Sequence, residues 1–181
     1  MRVLVLCSAN QCRSPVAAAL LARSLRDRGI EATVTSAGRG PAGRPVPEPV
    51  REALAGSGID VTGHLSTAAS AGTIRAADLV IGMGLEHVRD AITIDPTAYH
   101  RAFTLKELVR RGRATGVRSE DEAIDSWLAR IAATRRPVDL LGSSRDDDVA
   151  DPMGGPRRGY KRMIRELDAL SDELADLLAG V

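Results

Sequence analysis

Apolar residues fall in two rhythms along this chain. Val3-Leu4-Val5-Leu6 is an unbroken run suited to a strand buried on both faces. Val16 to Ala22 follows with a helical pattern, which predicts a helix from Ser14 to near Gly29. Glu31 to Ser36 is rich in β-branched residues, predicts a second strand, and is closed by Ala37-Gly38. A proline-rich loop spans Pro41 to Pro49, and a helix is expected from about Pro49 to Gly56. Asp78 to Gly82 predicts a third strand, Leu85–Ala91 a helix, and Arg101–Thr104 a short fourth strand. Leu105–Arg111 and Glu120–Ala133 read as helical, and Tyr160 to Leu178 carries leucines at helical intervals. This alternation predicts an α/β fold: a single domain with a four-stranded parallel sheet and helices on both faces. In such sheets ligands bind beyond the C-terminal ends of the strands.

Composition narrows the function classes. At 181 residues the chain fits one domain, 1–181, with an inserted subregion. Lys and Arg total 25 against 24 Asp and Glu, so no bulk attraction to nucleic acid or acidic membranes is expected. Aromatic residues make up 2 %, so the core must be built mostly from Leu, Val, Ile and Ala. The two cysteines lie close together, which argues against a disulfide framework and fits a reducing cytoplasm. No signal peptide is read before the first strand, and no apolar run approaches the length of a membrane span.

The chemistry concentrates in Cys7-Ser8-Ala9-Asn10-Gln11-Cys12-Arg13-Ser14-Pro15. Cys7 ends a strand and Arg13 stands at a helix start. A thiol attacks as the thiolate, and helix N-termini favour negative charge through unpaired N–H groups and the helix dipole. Small residues such as Ser8 and Ala9 let the loop curl into an anion nest. Arg13 offers a planar fork for two phosphate oxygens. Ser14 is expected to cap the helix and to donate to the Cys7 sulfur, and Pro15 suits the first helical position. The bland reading is an inert buried cysteine and a capping arginine. It leaves the strand, the small residues and the proline-started helix unexplained. A nucleotide loop competes poorly, since the segment has no glycine and no Lys-Ser/Thr.

With those residues in view, the segment resembles the active-site loop of the low-molecular-weight protein tyrosine phosphatase family, Cys-x5-Arg-Ser/Thr near the N-terminus. The resemblance implies a flavodoxin-like architecture, Cys7 as nucleophile, Arg13 as phosphate clamp and Ser14 as thiolate stabiliser. It implies a phosphate-binding loop of Ser8, Ala9, Asn10, Gln11, Cys12, Arg13 and Ser14. Cys12 would be the neighbour that forms a protective disulfide with Cys7 on oxidation. Ser36-Ala37-Gly38 and Gly58-Ile59-Asp60 followed by His64 also match family segments. They imply that Ser36 and His64 join Asn10 and Ser14 in a supporting network. The competing reading of His64 is a surface histidine without a role.

Ester hydrolysis needs an acid for the leaving oxygen, which later serves as base for water. Two Asp-Pro pairs are available, Asp95-Pro96 and Asp151-Pro152. The family's acid lies just before its last helix, so the resemblance implies Asp151. Asp146, Asp147 and Asp148 read as a solvated charged run. The substrate wall departs from phosphotyrosine enzymes, which carry aromatics there. This chain has Gly40 and Pro41 on one side, Met153 and Gly154 on the other. Losing an aromatic stack removes about 1 kcal/mol of ring preference. Asp-Pro-Met-Gly-Gly resembles the Asp-Pro-Phe-Gly-Gly of bacterial members that include phosphoarginine phosphatases. Gln11 matches neither the Thr of those enzymes nor the branched apolar residue of tyrosine enzymes, and Ala9 replaces a common Gly. Residues 109–145, with Arg110-Arg111-Gly112-Arg113 and Trp127, are extra to the family pattern and read as a decorative insertion.

The leading expectation is a cytoplasmic, metal-free and cofactor-free phosphomonoesterase. It would act on phosphotyrosine-type phosphoprotein through a phosphocysteine. The alternative is a phosphoarginine phosphatase. Arsenate reduction ranks lower, because no cysteine lies outside the loop and Pro15 follows Arg-Ser. A non-catalytic phosphate-binding module ranks lower still, because Cys7, Arg13 and Asp151 are all present. The oligomeric state is left open.

Overall fold

A computed structural model of the chain describes residues 1–142 and 145–181. Ser143 and Ser144, near the end of the 109–145 segment, lie outside the described residues. Four parallel strands form one sheet in the order β2-β1-β3-β4: β1 Arg2–Cys7, β2 Thr33–Gly38, β3 Leu79–Gly82 and β4 Ala102–Thr104. The most apolar strand, β1, is central. It pairs with β2 from Arg2↔Thr33 to Cys7↔Gly38 and with β3 from Val3↔Leu79 to Leu6↔Gly82.

Among the described residues seven α-helices cover the sheet: α1 Arg13–Asp27, α2 Glu48–Leu54, α3 Ala71–Ala76, α4 Leu85–Ile94, α5 Leu105–Thr115, α6 Ile124–Ala132 and α7 Arg157–Ala179. Val3, Val5 and Cys7 share a core with residues of α1, α2, α5, α6 and α7. Leu4 and Leu6 alternate to the other face, with Ile74 of α3 and Leu85 and Val88 of α4. The continuous apolar run of β1 follows from this two-sided burial.

Several element boundaries differ from expectation. The short helix α3 is new. It is held by a reciprocal cap in which Ser70 Oγ accepts from Thr73 N–H and Thr73 Oγ1 accepts from Ser70 N–H. Its six residues include a glycine and carry no visible periodicity, so burial of Ile74 and the cap decide it. Ser14 does not cap α1. The helix already starts at Arg13, with Cys12 as boundary residue giving no side-chain cap, and Pro15 is its third residue. The 109–145 segment is not decoration: Trp127, Leu128 and Ile131 of α6 are buried in the main core. Trp127 Nε1 donates to Gly116 O at 3.1 Å, so the one large aromatic of the segment is paired as well as packed. α7 starts at Arg157, three residues before the expected Tyr160.

Candidate active site

The β1–α1 turn curls around the Cys7 sulfur. Cys7 Sγ accepts from Asn10 N–H at 3.2 Å and lies 3.0 Å from Ser14 Oγ. Asn10 has φ 53°, the left-handed region that Asn tolerates better than most residues. No other described non-glycine residue has a positive φ, so the Ala9 methyl introduces no strain of that kind. The side chain of Asn10 fixes its own conformation. Its amide donates to Ser14 Oγ at 2.9 Å and Ser36 Oγ at 2.8 Å, and Oδ1 accepts from Thr67 N–H at 2.7 Å. His64 Nε2 meets Asn10 O at 2.8 Å. Asn10, Ser14, Ser36 and His64 are therefore one connected group. Thr67 belongs to it too, through its backbone, and no side-chain signal in the sequence marks it.

Gly38 explains why β2 ends in Ser-Ala-Gly. A Cβ there would lie 2.7 Å from Cys7 O and 2.8 Å from Asn10 N, both main-chain atoms. The loop and the end of β2 touch backbone to backbone. Arg39 and Gly40 continue the contact, both donating N–H to Ser8 O, at 2.8 and 2.9 Å.

Arg13 is buried and held by three acceptors. Nη1 donates to Val149 O at 3.3 Å, and Nη2 donates to Ser8 Oγ at 3.1 Å and to Asp151 Oδ2 at 2.7 Å. Asp151 also accepts from Met153 N–H at 3.1 Å, and its side chain is 42 % exposed, within reach of solvent. Asp95 lies elsewhere. It follows α4, which starts at the C-terminal end of β3 and runs about 15 Å back toward the other edge of the sheet. There it accepts from Thr97 N–H and Oγ1 and pairs with Arg101 at 3.2 Å.

The aspartate run is more than solvated loop. Asp148 Oδ1 accepts from Leu85 N–H at 2.9 Å, at the start of α4, and Asp147 pairs with Arg110 at 2.6 Å. His87 is a second unforeseen member. It is fully buried in the first turn of α4, with Nε2 at 3.1 Å from Ser8 Oγ and 3.3 Å from Glu86 Oε1. Glu86 in turn pairs with Arg39 at 3.1 Å. Burial, then the positive field of Arg13, push the His87 pKa down, with Glu86 opposing. The neutral ring fits an assignment in which Nε2–H and Arg13 both donate to Ser8 Oγ, and Ser8 donates to Glu86. A lone histidine in an apolar helix pattern carries no signal of this until the fold brings α4 to the loop.

Cys12 differs sharply from Cys7 in its surroundings. Burial, then the negative charges of Asp151 and Cys7, push its thiol up to about 12 against the pull of Arg13. Its Sγ sits 3.8 Å from Met163 Sδ of α7, and both cysteines are free thiols. At the mouth, Pro41 O accepts from Ser66 Oγ at 2.7 Å, Met153 is exposed, and Gly154 adopts φ 74°. Gln11 Nε2 reaches Pro45 O at 3.5 Å, the long edge of a hydrogen bond. No cluster of His, Cys, Asp or Glu suited to a metal occurs among the described residues.

A parallel α/β sheet with a cysteine–arginine turn at the end of its central strand defines a cysteine-dependent phosphatase scaffold. Comparison with known proteins narrows the class. Residues 2–121 match the family model of the low molecular weight phosphotyrosine protein phosphatases. A protein-arginine-phosphatase of Geobacillus stearothermophilus is 31 % identical over 178 residues, covering 98 % of this chain and 95 % of that one. A probable low molecular weight protein-tyrosine-phosphatase, EpsP of Ralstonia solanacearum, is 32 % identical over 143 residues, 72 % of this chain and 96 % of that one. The crystal structure of a low molecular weight protein tyrosine phosphatase from T. tengcongensis aligns with TM-score 0.73 and 28 % identity, over 98 % of this chain and 99 % of that one. The chain belongs to the low-molecular-weight protein tyrosine phosphatase family, whose members are cysteine-dependent hydrolases.

Proposed function

We propose that this protein hydrolyses phosphotyrosine-type phosphoprotein substrates in the cytoplasm, in two steps through Cys7. The observation that carries the reading is one sulfur that accepts from Asn10 N–H and lies 3.0 Å from Ser14 Oγ, which can donate to a thiolate, in the same turn as an arginine paired with Asp151. In the first step the Cys7 sulfur attacks phosphorus, the bond from phosphorus to the leaving oxygen breaks, and Asp151 delivers a proton to that oxygen. Arg13 takes two of the remaining phosphoryl oxygens with its fork. An arriving dianion competes with Asp151 for the same guanidinium edge, which frees the carboxyl group to meet the leaving oxygen. In the second step water attacks the phosphocysteine, Asp151 takes its proton, and the S–P bond breaks to return the Cys7 thiolate and inorganic phosphate. Neither step draws on a metal or cofactor. Two free cysteines fit a reducing compartment.

A second reading, phosphoarginine as substrate, has its own support. The arginine phosphatase of G. stearothermophilus aligns along nearly the full length of both chains, whereas EpsP matches 72 % of this one. The mouth also offers Gly40, Pro41, Met153 and Gly154 where a phenyl ring would stack on aromatics.

Kinetics on phosphotyrosine, phosphoarginine and phosphoserine peptides side by side separate these readings. Cys7→Ser is expected to abolish turnover while phosphate binding stays measurable; unchanged turnover would remove the nucleophile assignment. Asp151→Asn is expected to slow hydrolysis by about 100-fold or more for poor leaving groups and much less for aryl phosphates with acidic phenols. Equal slowing across leaving groups would count against the acid role.

A further inference from the structure

The two halves of α7 carry opposite charge. Its second half is acidic and its carboxylates are taken up by other helices: Asp168 by Arg23, Asp172 and Asp176 by Arg28, and Glu173 by Arg113. Its first half holds five cations, Arg157, Arg158, Lys161, Arg162 and Arg165, before the first acid at Glu166. Arg157 pairs with Glu52 of α2 at 2.7 Å. The other four are exposed and have no ion pair among the described residues. Elsewhere Arg2, Arg39, Arg51, Arg101 and Arg110 reach a carboxylate, and cations without an ion pair among the described residues, such as Arg26 and Arg44, stand singly, so it is the clustering of four that is a local departure.

Position and field make the departure sharper. Residues 158, 161, 162 and 165 are spaced i, i+3, i+4, i+7, which places them on one helix face, opposite the buried Tyr160, Met163 and Ile164. Arg158 lies in the first turn of α7, where the macrodipole opposes positive charge and no acid stands. No ion pair among the described residues offsets the stripe. Its first member, Arg158, follows Asp151 by only seven residues. The Asp151 loop runs directly into α7, with Gly159 close against Pro152. Arg157, beside the stripe and not part of it, ties the start of α7 to α2, which follows the Pro45 loop that receives Gln11.

We propose that this face of α7 docks an acidic stretch of the protein substrate beside its phosphorylated residue. The inference rests on the phosphatase reading above and adds the substrate's flanking chemistry. The stripe spans about 10 Å, the length of a few extended residues. That suits a peptide segment better than a nucleic acid or a bilayer, which a molecule of net charge +1 does not attract as a whole.

The test compares two phosphopeptides, one with Asp and Glu flanking the phosphorylated residue and one with Ser and Gln, alongside a small aryl phosphate. The variant is R158Q/K161Q/R162Q/R165Q, whose glutamines keep helix propensity and relieve the dipole conflict, so folding is retained. For the unaltered protein, KM is expected to be about tenfold lower for the acidic peptide, with the gap closing as salt is raised. In the variant that gap closes at low salt, kcat is unchanged, and the aryl phosphate is unaffected. Equal KM for both peptides in the unaltered protein, or equal loss on the aryl phosphate, overturns the proposal. So does variant-sensitive binding to anionic vesicles or DNA with unmoved peptide KM. Failure of the unaltered protein to turn over aryl phosphate would strike the phosphatase reading instead. Fluorescence anisotropy with the same peptides needs no turnover and still reads the stripe.

Discussion

Asn10 is where the loop's shape is decided. One residue holds a left-handed backbone, puts its N–H on the Cys7 sulfur, and ties Ser14, Ser36 and Thr67 together through its side chain. Asn10→Gly and Asn10→Ala both remove the side-chain bonds, but only glycine accepts the conformation freely. The alanine variant is therefore expected to unfold about 1–2 kcal/mol more easily than the glycine variant in urea titrations. Equal stabilities would show that the positive φ is not strained. Both should lose turnover, because each loses the network that holds Ser14 against the sulfur. At this scale the sequence was generous. Cys7, Arg13 and Asn10 sit in one short segment, so their proximity was legible from spacing alone. His87 and Glu86 were not, because their relation to Ser8 exists only after α4 folds back across the sheet.

Elements meet the loop at the end of β2. Gly38 leaves no room for a side chain between β2 and the Cys7–Asn10 turn, since both nearest atoms are main chain and neither can rotate away. Gly38→Ala should push the turn by several tenths of an ångström. A stability loss of about 1–3 kcal/mol is expected from overpacking, and a misplaced Cys7, the proposed nucleophile, should lower aryl phosphate kcat/KM by tenfold or more. Wild-type kinetics in that variant would mean the turn has slack that the contact distances deny. Strand and helix order was readable because apolar period and β-branched content agree at β1, β2 and β3. The start of α1 was not. Ser-Pro at 14–15 mimics a cap followed by a first helical residue, yet the phosphate-loop geometry extends the helix back to Arg13. Nor was α3, where a Ser–Thr cap does the work usually signalled by Glu or Gln.

For the whole molecule, the buried His87 links the site to global stability. Its folded pKa lies below the ordinary 6.5, through burial and then Arg13, with Arg39 adding and Glu86 and Asp90 opposing. Below about pH 6.5 the unfolded chain gains a proton at this position that the native state accepts only at lower pH. Stability should therefore fall as pH drops through that window. Urea midpoints measured from pH 7 to pH 5 should show a shallower fall in His87→Gln. An identical slope would show that the native ring protonates as freely as an unfolded one. The domain's completeness was harder to read than its class. The 109–145 stretch carries no motif legible in the sequence, but Trp127 of α6 is fully buried in the main core. The arrangement of α7 has a consequence for biogenesis. Its Met163 backs Cys12, its acids anchor α1 through Arg23 and Arg28, and Asp151 precedes it by only a few residues. A ribosome-bound chain that has already exposed its cysteine turn still lacks the partner helix and Asp151, the proposed proton donor. The newborn polypeptide thus stays silent toward phosphorylated neighbours until α7 has been synthesised.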